Sequence, residues 1–182
     1  MARDGRDDVR SGPEQTAERT GSGSRDGRSV GVPMERLRLP TGADRQPVWV
    51  RDHVYRLRES EARALATVGV FRVVRADDLQ AAPSSRDAWR GDLRALAEQG
   101  LVQMRTVEVN RESTAVVVLT RSGRQLLEAN RVPSDHRDQT FHAGLVKPRE
   151  IAHDSQLYRL YQAEAARIEE EGGRVERIVL DY

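Results

Sequence analysis

An α+β fold is predicted by three features of one compact run, Ser84 to Asn130. Trp89, Leu93 and Leu96 recur at i, i+4 and i+7, which is one face of a helix over Ser84 to Gln99. Leu101 to Val109 and Thr114 to Leu119 are β-rich and joined by the polar turn Asn110-Arg111-Glu112-Ser113. Thr120 then caps a helix over Arg121 to Asn130 that turns Leu126 and Leu127 inward. A helix-rich segment, Glu59 to Ala82, precedes this run. Helix, helix, helix, β-hairpin, helix is the order of a winged helix-turn-helix, a fold that most often reads DNA.

The expected organisation has three parts: a leader over 1–47, the winged helix-turn-helix over 48–131, and a linker, long helix and strand over 132–182. The leader is rich in Arg, Asp, Gly, Ser and Pro, and GSGSRDGRSVG has no apolar period. Such a segment buries too little surface to offset its chain entropy, so disorder is expected there. VWVRDHVYRL (Val48 to Leu57) is apolar enough for an approach segment or short strand. Glu59 to Val68 is expected as a helix with Ala62, Leu65, Ala66 and Val68 apolar and Gly69 at its end. Val70 to Val74 should lie against the core, and Ala76 to Ala82 should form a short helix with Leu79 inward. Ser84 can cap the next helix, with Asp87 at its third position, and Gly100 ends it. Val132 to Gln139 reads as a polar linker. Pro148 to Glu171 is the longest helical pattern, with Ile151, Tyr158, Tyr161, Ala165 and Ile168 on one face and Gly172-Gly173 as its stop. RVERIVLDY, Arg174 to Tyr182, reads as a strand that begins an incomplete second domain.

Composition narrows the functional classes. The 182-residue chain carries 30 Lys+Arg against 29 Asp+Glu, so net charge does not mark a nucleic-acid binder. Lys147 is the only lysine, and arginine suits bidentate contacts to phosphate and guanine. The plainer explanation is a coding bias that replaces Lys by Arg throughout, since the arginines are spread along the chain. The absence of cysteine excludes a disulfide scaffold, a thiolate zinc site and a thiol nucleophile. No apolar stretch approaches the ~18 residues that span a bilayer, and the N-terminus lacks the apolar core of a secretory signal. A cytoplasmic protein without membrane contact is expected.

In a helix-turn-helix the second helix of the pair lies in the major groove. Here that helix carries Arg86, Arg90 and Arg94 at i, i+4 and i+8, with Ser84 and Ser85 near its N-terminus. The opposing reading is a solvated surface on which Asp87, Asp92 and Glu98 neutralise part of the charge. Arg105, with Asn110 and Arg111 at the wing tip, would reach the minor groove or backbone, although Glu108 and Glu112 stand beside them. Trp89, Tyr158 and Tyr161 have the spacing of core residues rather than of base-stacking ones. The groups suited to chemistry are His142, His153, Asp154 and Asp181. One His-Asp pair is too few ligands for a metal phosphohydrolase, and the helix dipole explains Asp154 and Glu150 equally well. No catalytic residue, metal ligand or cofactor is therefore assigned. Double-stranded DNA is the expected partner, with a second copy of the chain as a further one through Pro148 to Glu171.

GLVQ, the hairpin and LTRSGRQLL are similar to the wing-to-helix signature of many bacterial winged-helix regulators. YRLRESEARALATVGVFRVVRADDL, LTRSGRQLLE and KPREIAHDSQLYRLY together resemble the replication-relaxation family of plasmids and integrated mobile elements. The resemblance spans about Val54 to Tyr182. It implies an N-terminal winged helix, and a C-terminal part that continues through several strands and has been thought nuclease-like. This sequence stops after its first strand there, so a truncated or frameshifted product is expected. The resemblance implies DNA binding in replication or mobilisation. Two other readings stand beside it: a fragment of a DNA-processing nuclease, and a winged helix used for protein contact.

Overall fold

Val48 to Leu57 folds into two strands rather than one in the computed structural model, which describes residues 32–80, 86–109, 111–133, 139–144 and 147–180. β1 (Gln46–Val50) pairs antiparallel with β2 (His53–Leu57), with Val50 opposite His53 and Gln46 opposite Leu57. The turn residue Arg51 has φ 51°, a left-handed conformation usually left to Gly or Asn, so the turn carries no sequence signal. Val48 and Leu57 are buried, whereas Trp49 and Val54 are cross-strand partners on the exposed face.

α1 (Glu59–Phe71) is the hub of the core. It packs on helices or strands at every side, and Glu61, Ala62 and all residues from Ala64 to Phe71 are buried. Such a helix is apolar nearly all round because it lies inside the molecule. It runs past Gly69, the expected end, and stops at Arg72, whose φ is 59°. Gly69 serves a different purpose. A Cβ there would stand 2.6 Å from Leu127 Cδ1 and 3.1 Å from Phe141 Cδ1. The missing side chain lets the 139–144 segment lie on the helix, where His142 N donates to Gly69 O at 2.7 Å.

β3 (Val73–Arg75) follows, then a single 3-10 turn at Asp78–Gln80 where a short helix over Ala76 to Ala82 was expected. Residues 81–85 lie outside the described residues. α2 (Arg86–Glu98) ends at Gly100, φ 68°, as the sequence predicts. β4 (Val102–Val109) and β5 (Glu112–Leu119) form a hairpin with Val109 opposite Glu112, so the turn is two residues shorter than the expected four. β3 pairs with the other edge of β5, giving an antiparallel sheet of order β3-β5-β4. α3 (Arg121–Ala129) starts where predicted, with Gly123 N donating to the Thr120 hydroxyl at 3.1 Å.

α4 (Pro148–Glu170) uses its apolar stripe within the chain. Phe71 meets both Tyr158 and Tyr161 with ring centroids 5.2 Å apart. Burial, with Tyr158 second, pushes the Tyr161 hydroxyl up to about 12. Ile151 covers the second face of the sheet, on Val73, Val109, Val116 and Val118. Ile151, Tyr158 and Tyr161 of the expected stripe thus pack on the sheet and on Phe71, while Ile168 stays half-buried.

Two boundaries move. Residues 32–47, assigned to the leader, lie against the domain: Val32 and Leu39 are buried, and Arg38 N donates to Asn130 O at 2.7 Å. Sparse apolar residues without a period concealed this. At the other end, 174–180 joins no sheet. A strand needs a neighbouring backbone, and here the Gln139 side-chain amide takes that place, accepting from Ile178 N at 3.1 Å and donating to Ile178 O at 2.9 Å. Among the described residues no helix is long and apolar enough to cross a membrane.

The packing predicts opposite signs for two Gly→Ala changes. A Cβ at Gly123 would stand 2.2 Å from the backbone Leu101 O, which cannot swing away, so Gly123→Ala should destabilise by about 1–3 kcal/mol or more. Gly91 in α2 has nothing within 4 Å, so Gly91→Ala should stabilise by about 0.5–1 kcal/mol. Urea unfolding midpoints at constant m-value check both.

Candidate nucleic-acid interface

α2 has a buried side and an exposed side. Leu93, Leu96 and Asp92 face the core, and Gly91, Arg94 and Glu98 face outward. Ser84 and Ser85 lie outside the described residues. The backbones of Arg86, Trp89 and Arg90 belong to α2, but their side chains lie outside the described residues too. Of the expected arginine stripe, Arg94 is visible: its Nε donates to Glu98 Oε1 at 2.7 Å, with both side chains mostly exposed. An exposed i,i+4 pair is worth about 0.3–0.5 kcal/mol, so Arg94 can exchange this partner for another anion.

The β4–β5 hairpin is exposed at its tip, residues 111–113, beside the buried Val109 and Thr114. Arg111 at its tip has φ 68°, and Asn110 lies outside the described residues. Neither Arg105 nor Arg111 has a carboxylate partner among the described residues. Strand alternation separates them from α2. Met104 and Thr106 share a face with Val102, which joins the core cluster of Leu93 and Leu96. Arg105 shares the opposite face with Val107 and Val109, in the cluster covered by Ile151. Arg94 and Arg105 therefore flank the sheet from different sides rather than lining one surface.

Sequence reasoning missed what holds α2 in place. Arg58, the residue before α1, sends its guanidinium to the buried Asp92 on α2, with Nε 2.9 Å from Oδ1. Its backbone N donates to Glu61 Oε2 at 3.0 Å, the carboxylate half of a capping box. Glu61 is fully buried and accepts Arg45 Nε at 2.9 Å and Nη2 at 2.6 Å. Gln99, just past α2, bridges Arg56 N and Arg56 O of β2 at 2.8 and 3.0 Å. At the base of the β4–β5 hairpin the Thr120 hydroxyl donates to Gly100 O at 2.6 Å while capping α3. The helix, the first hairpin and the β4–β5 hairpin are thus fixed to one another by charged and polar ties. Glu61 at the third helical position was the one readable signal.

The groups suited to chemistry are dispersed. Asp154 is buried, 3.2 Å from His153 Nδ1 and 3.6 Å from Arg72 Nη1. Arg72 also lies 3.7 Å from Glu150, so these carboxylates clamp α4 to the end of α1. His142 sits on the 139–144 segment, and burial, then Arg72 and Arg124, hold its imidazole below the ordinary value. Asp181 lies outside the described residues. Among the described residues no three His, Cys, Asp or Glu side chains gather to hold a metal ion.

Removing Arg58 leaves Asp92 buried without its guanidinium. Arg58→Met should destabilise by about 1–3 kcal/mol. Arg58→Met combined with Asp92→Leu should recover much of that loss, because no unpaired charge remains. Thermal unfolding of the two variants checks the coupling.

Comparison of the chain with protein-family models, with curated proteins and with solved structures finds no match.

Proposed function

We propose that this chain binds double-stranded DNA as a winged helix, with α2 in the major groove and the β4–β5 tip against the backbone or minor groove. One observation carries the reading: α1, β3, α2, β4 and β5 follow in that order, and the strands form a sheet β3-β5-β4 that leaves the outer side of α2 and the hairpin tip exposed. That is the order in which a helix-turn-helix offers its second helix and wing to a duplex. The cations of the interface are arginines, suited to bidentate phosphate and guanine contacts. The resemblance of Val54 to Tyr182 to replication-relaxation proteins supports placing this binding in the replication or mobilisation of a plasmid or mobile element, or in its regulation.

Each phosphate neutralised by an arginine releases condensed counterions, so duplex binding should weaken steeply with salt. Replacing one phosphate-contacting arginine should lower the magnitude of the log K versus log salt slope by about one. Arg90→Ala should have the largest effect, Arg86→Ala the next and Arg94→Ala the smallest, because Arg94 already holds Glu98 at 2.7 Å. A salt titration of duplex binding, with folding checked by circular dichroism, measures the order. Failure of the folded wild type to bind duplex at low salt would overturn the reading in favour of a protein-contact winged helix. Wild-type behaviour of all three variants would remove α2 as the reader.

A further inference from the structure

The first hairpin carries a second surface that the duplex reading leaves unused. Trp49 is 65% exposed and its cross-strand partner Val54 44% exposed, on the outer face of a two-stranded sheet. An indole this open contributes little to the core. Beside it runs an open groove between β1 and the 38–41 segment, lined by Trp49, Gln46, Arg38, Thr41 and Asn130. Arg38 is exposed and has no carboxylate partner among the described residues, and the same holds of Arg51 and Arg56 on the hairpin. The exposed acids nearest in sequence are Glu35, Asp44 and Asp52, of which Glu35 lies 3.9 Å from Arg174, while Arg45 is engaged by the buried Glu61. Among the described residues, three cations without a carboxylate partner stand against two acids outside any ion pair, Asp44 and Asp52.

We propose that this groove binds single-stranded nucleic acid, stacking a base on Trp49 and placing the adjoining phosphate on Arg38. An exposed indole beside a cation supplies a stacking platform and a backbone contact, and both are indifferent to sequence. Gln46, Thr41 and Asn130 add amide and hydroxyl groups to the groove lining. The open edge of β1 argues against a peptide strand or a second copy as the occupant. Val50 and His53 close a two-residue turn, so the residues alternating from them, Trp49 and Pro47, direct their backbone toward the free edge. Pro47 has no N–H to donate there, which blunts the edge as a template for another strand. Stacking on Trp49 needs no backbone donor. The site is separate from α2 and does not depend on the duplex reading.

The test is fluorescence anisotropy of labelled oligo-dT and oligo-U, each of about 12 nucleotides, with the full chain at low salt. The wild type should bind at least one of them, and comparison of the two identifies DNA or RNA as the preferred strand. Trp49→Ala should weaken binding by about tenfold or more, and Trp49→Phe by less, since stacking on an aromatic face survives. Arg38→Ala should weaken binding and flatten its salt dependence. Trp49 is exposed, so circular dichroism and melting should not change in either Trp49 variant. Duplex binding should be unaffected by Trp49→Ala. The proposal is overturned if the wild type binds neither oligonucleotide, or if folded Trp49→Ala binds as the wild type does. A parallel loss of duplex binding would also overturn it, by making the groove part of the duplex surface. So would a Trp49-dependent change in mass by light scattering, which would make the patch an interface between copies. Single-strand binding without duplex binding would leave this site standing and remove the winged-helix reading.

Discussion

The arrangement depends on Arg58. It stands between β2 and α1, and its two polar ends serve different elements. The backbone N satisfies Glu61 at the start of α1, and the guanidinium satisfies Asp92 on the inner side of α2. Both carboxylates are buried, and a buried carboxylate is tolerated only when it is paired and hydrogen-bonded. Apolar packing alone allows α2 to slide or rotate on α1, because such contacts are not directional. A guanidinium-carboxylate pair has fixed directions, so it sets the register of α2. The outward side of that helix follows from where Asp92 must point.

The same logic runs through the rest of the molecule. Arg72 ends α1 and reaches Glu150 and Asp154 on α4, and Arg159 on α4 donates to the buried Asp78 at 2.6 Å. With few aromatic residues, the chain fixes the relative positions of its helices by arginine-acid pairs around a small aliphatic core. The arginine bias noted from composition therefore has two uses. Arg45, Arg58, Arg72 and Arg159 are structural, whereas Arg38, Arg105 and Arg111 are exposed without a carboxylate partner among the described residues. Charge patterning in the sequence cannot separate these groups, because the partners lie 16 to 82 residues apart.

Local signals were legible where one residue type meets one requirement. Thr120 capping α3, the left-handed Gly100 after α2 and the stripe Ile151, Tyr158, Ala165 on α4 all follow from short-range rules. The misreadings have physical causes. Gly69 has the signature of a helix end, but a close approach by Leu127 and Phe141 demands the same residue. The first hairpin was hidden by an arginine in a left-handed turn. Arg174 to Leu180 has a strand-like composition, yet a side chain rather than a strand lies beside it. Of the residues expected at the interface, the sequence did not show on which side of the sheet each lies. Alternation puts Arg105 on the sheet face away from α2, a consequence of hairpin register that composition does not express.

The claim that α2 and the hairpin tip form one duplex-binding surface is tested most directly by backbone amide exchange, with and without duplex DNA at low salt. The account predicts added protection in α2, Arg86 to Glu98, and around Val109 to Glu112 at the hairpin tip. It also predicts unchanged exchange along α4. Protection confined to α4, or no change on addition of a duplex at saturating concentration, would contradict it.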